Sequence, residues 1–389
     1  MAYGLTEADW GAPGRTTRYY AKIVDPFTLI DTSEEIELDT EGTSITYAYE
    51  SDNHMEATVT ISEGDYHNII SQGRTMDGMI RIYQSVGIGD YSGVFCMGTF
   101  YVSNLSNSSK LGITNRKLTC YGPMWAMTQD STISDFVRHP GDNCWEAMQY
   151  ICTGGGYDNG HIRAGDGFDT GRTHTIEVFF PLGTNRGEML NTYAGWLNGE
   201  LVTDMDGTIV ARPYIDPWNR PIMYTFDENE GCIYKAGIEF ETNRDEPLNR
   251  VMAYFSRESK NDDPNSENYD PFPLSDSVYV DLPDSADYSF ARCGRRRTEV
   301  LHVTDPCSHE DLTAQAQRYL DENSHSNLYI NVEHAGIPGL RVGDVVRYIN
   351  STDQYRTEPG TFDNRCIVTE MRISKLSPFC MTQTKMRVI

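Results

Sequence analysis

The chain has 389 residues, 39% hydrophobic and 23% charged, enough apolar material for several cores, so disorder is excluded as its main state. Its 57 acidic and 32 basic residues leave a formal net charge of −25. That balance counts against a binder of nucleic-acid backbone and against docking on an anionic membrane.

Apolar residues alternate more often than they recur at helical spacing. The clearest case is Met55, Ala57, Val59 and Ile61, with polar residues between them, which predicts a half-buried strand. Similar runs lie at 79–86, 94–105 and 116–127, with Gly87, Gly89, Asp90 and Gly93 as a turn. The glycine spacing does not fit a dinucleotide fingerprint. These runs predict a β domain over 1–128.

The next stretch, 129–245, reads as α/β. Asp142 and Asn143 cap a helix that starts at Cys144 and stops at Gly154. A Gly- and Asp-rich loop over 157–172 leads to a strand at 174–180. A second helix is expected over 187–198, with Met189, Tyr193, Trp196 and Leu197 on one face. Asp206-Gly207 between two β-rich runs predicts a hairpin. A β and loop region, 246–310, contains the polar stretch 259–270, expected as an exposed loop. Ser308 to Asp311 forms a capping box and opens a helix with Leu312, Ala316, Tyr319 and Leu320 buried. The C-terminal domain, 311–389, is then β again, with a tight turn at Gly343-Asp344. The fold class expected is mainly β with an α+β insert. It comprises β domains at both ends of the chain and a smaller α/β region.

No 18-residue apolar run exists, so no membrane insertion is expected. Residues 1–14 lack the basic and apolar parts of a standard signal peptide. Nine scattered cysteines without a CxxC pair are expected to be reduced thiols in a cytoplasmic setting.

Four groups of residues suggest chemistry. Cys144 at a helix N-terminus, with His161 following 17 residues later, loosely resembles the cysteine and histidine blocks of papain-like cell-wall peptidases. A small half-buried apolar residue explains Cys144 equally well, and the spacing is short for that fold. Cys293, His302, Cys307 and His309 could supply zinc ligands, but their spacing matches no zinc module, and Arg295, Arg296 and Arg297 would repel a dication. Asp204 and Asp206 lack the remaining oxygens of a calcium loop, so a turn is the better reading. His161, Asp166, Asp169 and His174 could hold a metal or an acid/base pair, or form a solvated loop. Glu239 and Glu241 share one strand face and so do not oppose each other across a cleft. No catalytic residue, metal or cofactor is therefore expected, and 24 tyrosines and 5 tryptophans leave glycan stacking as one further alternative.

Several blocks, in order, resemble the bacteriophage tail hub family. They are the runs 44–49, 55–61, 79–83 and 98–102, then the 116–127 strand with Tyr121 and Trp125. Helix 190–196 and hairpin 201–210 follow, then residues 249–254, helix 316–320, and the Leu340, Gly343, Asp344, Val346 element. The resemblance implies a non-enzymatic, trimeric structural protein of the virion tail tip, assembled in the host cytoplasm, with two tube-like β-barrel or sandwich domains per chain. Its implied partners are other copies of itself, a tail tube or distal tail ring protein, tip or fibre proteins and a tape-measure protein. DNA would meet it only in transit, and an acidic duct suits a passage that must not bind phosphate.

Overall fold

Alternation drives the first sheet. The computed structural model describes residues 15–389 other than 50, 52, 72–77, 90, 111–112, 157–159, 176, 228–233, 236–240, 244–246, 257–271, 287, 304–306, 325–326, 338, 351–361 and 379. Strands β1 (Thr16–Val24), β2 (Ile36–Glu37), β3 (Ser44–Ala48) and β4 (Met55–Ser62) are followed by helix α1 (Glu63–Ser71). Then come β5 (Met79–Ile88), β6 (Tyr91–Lys110) and β7 (Ile113–Tyr121). On β4, Met55, Ala57, Val59 and Ile61 are buried as their spacing requires. Gly89, at φ 56, turns the β5–β6 hairpin. The strand expected to run to Met127 stops at Tyr121. Gly122 is extended and Pro123 opens helix α2 (Pro123–Gln129), where its missing N–H costs nothing.

The middle of the chain builds a second core. It contains β8 (Phe136–Arg138), α3 (Cys144–Cys152), β9 (Ile162–Ala164), β10 (Val178–Phe180), α4 (Arg186–Trp196), β11 (Gly199–Thr203) and β12 (Ile209–Pro213). The strand expected over 174–180 is only its last three residues. Asn143 and Asn185 cap α3 and α4, each accepting from the backbone N–H of a glutamate three residues on. Arg186 is buried and donates to the carbonyls of Ile151 and Cys152 at 2.8 and 2.7 Å, and to Asp130. A cation thus satisfies the orphan carbonyls at the C-terminus of α3. Met124, Met148, Met189, Leu190 and Tyr193 fill this core.

A third core follows. Strand β13 (Ile222–Asp227) and the short β14 (Tyr234–Lys235) and β15 (Glu241–Asn243) precede β16 (Arg250–Ser256), β17 (Ser275–Asp281), α5 (Phe290–Cys293), β18 (Thr298–His302) and α6 (His309–Asn323). Strand β16 lies central, antiparallel to β17 and parallel to β18. Val251, Ala253 and Phe255 on its inner face meet Leu312, Ala316 and Leu320 of α6. Ser308 caps α6 by accepting from Asp311 N at 3.0 Å. Helix α6, which the sequence reading puts at the start of the 311–389 domain, covers the inner face of this sheet. The 259–270 stretch lies outside the described residues, as do Glu239 and Pro338.

The chain then returns to the first sheet with β19 (Asn327–His334), β20 (Val345–Asn350), β21 (Phe362–Ile373) and β22 (Thr382–Val388). Strand β21 is the splice. Its residues 363–367 pair with β20, while Glu370–Ile373 pair with β3. One 14-stranded sheet results, uniting the N-terminal and C-terminal β units around a shared core that includes Phe100, Phe226, Tyr348 and Met386. The protein is β-rich, with several sheets and a few helices.

His334, on β19, is buried in that core against Phe226, 5.1 Å between ring centroids. Its Nδ1–H donates to Ala335 O at 2.7 Å, and Nε2 accepts from the Thr384 hydroxyl at 2.8 Å. Burial pushes its pKa down to about 4. The folded imidazole thus takes up a proton less readily than the unfolded one. Stability is complete above the unfolded value near 6.5 and declines as pH falls toward 4, by about 3 kcal/mol in all. Denaturant midpoints measured from pH 7 to pH 4 will show this slope, and His334→Gln will flatten it.

Candidate interface at the seam between the cores

The three cores meet along a polar seam. Glu200 and Arg212 oppose each other on the β11–β12 hairpin, and Arg212 Nε donates to Glu200 Oε1 at 2.8 Å. From the following connection, Arg220 Nη2 reaches both oxygens of the same carboxylate at 3.1 and 3.2 Å. Its Nη1 donates to Gly343 O at 2.8 Å, in the C-terminal β unit. Tyr49, just beyond β3, donates its hydroxyl to Glu200. Burial alone would raise the Glu200 pKa, but the two guanidinium groups and the Tyr49 hydroxyl outweigh it and hold the carboxyl below its ordinary range.

Beside this network lies a cavity of about 690 Å³, walled by Asn198, Tyr214, Gln315, Arg318 and Tyr329 among others. Arg318 of α6 crosses it to donate to Gly199 O at 3.1 Å, and its guanidinium sits 4.1 Å from the Tyr214 ring centroid. Arg387 of β22 donates to Glu322 O at 3.1 Å. Arg172, from the second core, also pairs with Asp311 of α6 at 3.4 Å, so arginine bonds contribute to the link between the third core and the other two.

The hairpin tip makes the second junction. Asp204 N bonds Thr208 O at 2.9 Å, and Asp206 Oδ1 accepts from Thr208 N at 2.9 Å. Gly207 sits at φ 94, and a Cβ there would meet Thr99 at 3.0 Å. The Thr99 hydroxyl donates to Met205 O at 2.7 Å, and Arg81 Nη2 donates to Asp206 O at 2.8 Å. This turn is thus pressed onto β5 and β6. Asp204 also pairs with Arg163. The other turn, at Gly343 with φ 83, is closed by Arg341 N donating to Asp344 Oδ2 at 2.7 Å.

The sequence candidates fall in separate places. Cys144 is buried at the start of α3, and burial pushes its thiol up to about 11, against the lowering expected from its place at a helix N-terminus. His161 points elsewhere, its Nε2–H donating to Pro26 O at 2.8 Å. His174 is buried, with Nε2 3.1 Å from the Tyr193 hydroxyl, and burial lowers its pKa. Asp166 is exposed, and Asp169 caps its own turn by accepting from Gly171 N. His309 pairs with Asp276 at 2.8 Å, and the His302 ring lies tilted against Tyr254, 4.9 Å between centroids. Cys293 is exposed on α5, whereas Cys307 shares a small cavity with Cys144. Among the described residues, no three His, Cys, Asp or Glu side chains gather as a metal site. Trp125 stacks on Tyr121, whereas Trp145 and Trp196 meet Phe168 and Tyr193 edge to face. These three are packing partners, while Trp218 is exposed, with Arg365 over its ring.

Sequence reasoning did not single out Tyr49, Glu200, Arg212 or Arg220. The Glu200–Arg212 pair follows from the hairpin register once Asp206-Gly207 is placed at its tip. Tyr49 and Arg220 lie far off in the chain and leave no local signal.

Two outcomes test the seam and the thiols. Glu200→Gln leaves Arg220 buried without its counter-charge and will destabilise the fold by about 3–5 kcal/mol in denaturant titrations. A loss under about 1 kcal/mol would show that the network is not structural. Alkylation mapped by mass spectrometry will label Cys293 rapidly in the native protein and spare Cys120, Cys144, Cys152, Cys366 and Cys380. Unfolding without reductant will expose all nine cysteines. Rapid native labelling of Cys144 would reopen a nucleophilic role.

No protein-family model matches the sequence, and no curated protein matches it. Solved structures do match in fold. The tail protein from Neisseria meningitidis MC58 superposes with a TM-score of 0.59 at 12% identity, covering 96% of each chain. The 43 kDa tail protein of prophage MuSo2 from Shewanella oneidensis gives 0.59 at 11% identity, covering 96% of this chain and 98% of that one. The lidded Francisella PdpA–VgrG complex gives 0.53 at 8% identity, over 97% of this chain and 53% of that chain. The resemblance read from the sequence blocks is thus matched in three dimensions, and the chain has the phage tail-protein fold over nearly its whole length.

Proposed function

We propose that the chain is the structural hub of a phage tail tip. Three copies would form a ring joining a sixfold tail tube above to threefold tip or fibre proteins below, around a passage for DNA. The observation that carries this reading is the end-to-end fold match to a phage tail protein, 96% of each chain. The ordered sequence blocks support it independently of that match. Recurrence of the fold within a longer chain of the PdpA–VgrG complex supports an assembly role. The net charge of −25 suits a duct that repels phosphate. The remaining partners follow from the same reading: a tail tube or distal tail ring protein, and a tape-measure protein. The site of action is the virion tail tip, after assembly in the host cytoplasm.

Cryo-electron microscopy of assembled tails carrying an epitope-tagged chain tests the proposal. Three copies at the tail tip, around an acidic lumen, are expected. Six copies per ring, a basic lumen, or a position on the outer fibres would overturn it.

A further inference from the structure

Two exposed apolar faces lie on different cores and differ in charge. The first is the outer face of the β17–β16–β18 sheet. Since Val251, Ala253 and Phe255 point to α6, their neighbour Met252 points outward. Met252 stands beside Tyr279 on β17 and Val300 on β18, so the three form a row across the sheet. Tyr279 is 59% exposed and Val300 54%. Arg250 lies 5.5 Å from the Tyr279 ring centroid, and Arg296 lies 4.5 Å from that of the exposed Phe290. Asp281 binds both arginines and holds them there. Residues 292–297 contain four arginines and no acid, in a chain of net charge −25.

The second face lies on the second core. Loops 131–135 and 181–185 are zipped by Thr132 N to Thr184 O and Gly183 N to Thr132 O, both 2.9 Å. They present Ile133, 88% exposed, with Leu182 and, from β10, Phe179. On its rim Asp135 and Glu177 are exposed, Glu177 3.2 Å from the exposed His139. Asp130, also exposed, is paired to the buried Arg186, and Arg138 lies over the rings of Phe136 and Tyr150.

We propose that these faces bind each other between copies of the chain, head to tail, arginine rim against carboxylate rim. Both are exposed, so they do not meet within one chain. Using different surfaces on the two partners makes the contact heterologous, the kind that closes rings. The proposal deepens the tail-hub reading in taking the neighbour to be a second copy. Size sets its character. Three strands about 4.8 Å apart and five residues long give a footprint of roughly 14 by 17 Å. A stable interface needs about 800 Å² per partner, so the apolar row cannot suffice and the charged rims must share the contact. Association will therefore weaken with salt.

Cys293 sits within the arginine corner and provides a handle. Leu182→Cys places a second thiol on the opposite face, for cross-linking of the purified chain with a bismaleimide. The expected result is an interchain product joining positions 182 and 293 by mass spectrometry, suppressed by added sodium chloride. It should be absent from Leu182→Cys combined with Cys293→Ser. No such product while light scattering shows an oligomer would overturn the contact and leave self-assembly standing. A monomer under all conditions would overturn it too. The tail-hub reading is judged separately, by microscopy of assembled tails.

Discussion

The fold depends on one buried carboxylate. Glu200 accepts from Tyr49, Arg212 and Arg220, and these come from three different stretches of chain. Arg220 in turn donates to Gly343. Removing any member leaves a charge or a dipole without its partner in a place water reaches poorly, which costs more than the pair gains when intact. Such a knot adds less to total stability than to the choice of arrangement. It accepts only one relation between the hairpin, the β3 end and the Gly343 turn. The apolar cores alone would tolerate small slides along their surfaces.

The same logic explains the splice in β21. Pairing with β20 over its first half and with β3 over its second half fuses two β units that are distant in sequence. Separate units would each expose an edge at this point. A continuous sheet removes both edges and sets the spacing of the two units by strand geometry, about 4.8 Å per strand. The third core meets the others differently, through arginine bonds of Arg318, Arg387 and Arg172 beside a wide cavity.

Much of this was legible, and what was missed shares a cause. Alternation at Met55, Ala57, Val59 and Ile61, the Asn143 and Ser308 caps, and the Asp206-Gly207 turn are local signals, and local interactions realise them. The stop at Tyr121 was also local, but the Gly122-Pro123 pair was read as part of a strand. Contacts between distant stretches leave no local signal: α6 packs backward onto β16, and β21 pairs backward onto β3. The candidate chemistry failed to converge for a related reason. Cys144 and His161 are near in sequence, yet the imidazole is anchored to Pro26, and burial pushes the thiol up. Spacing alone does not reveal where a side chain is tethered.

Charge then constrains how copies could meet. At physiological ionic strength the field of a surface charge fades over about 8 Å, so two acidic chains repel mainly where they touch. A contact between them must therefore put its cations at that boundary. Few arginines are available there, since many serve inside the chain: Arg81, Arg186, Arg212, Arg220 and Arg318 all hold loops, helix ends or the seam. The corner from Arg292 to Arg297, steadied by Asp281, is a cationic stretch at an apolar surface. In the proposed contact the excess carboxylates would lie on surfaces that copies do not share. In the proposed ring those are the solvent face and the duct, where repulsion of phosphate is useful and repulsion between subunits is screened.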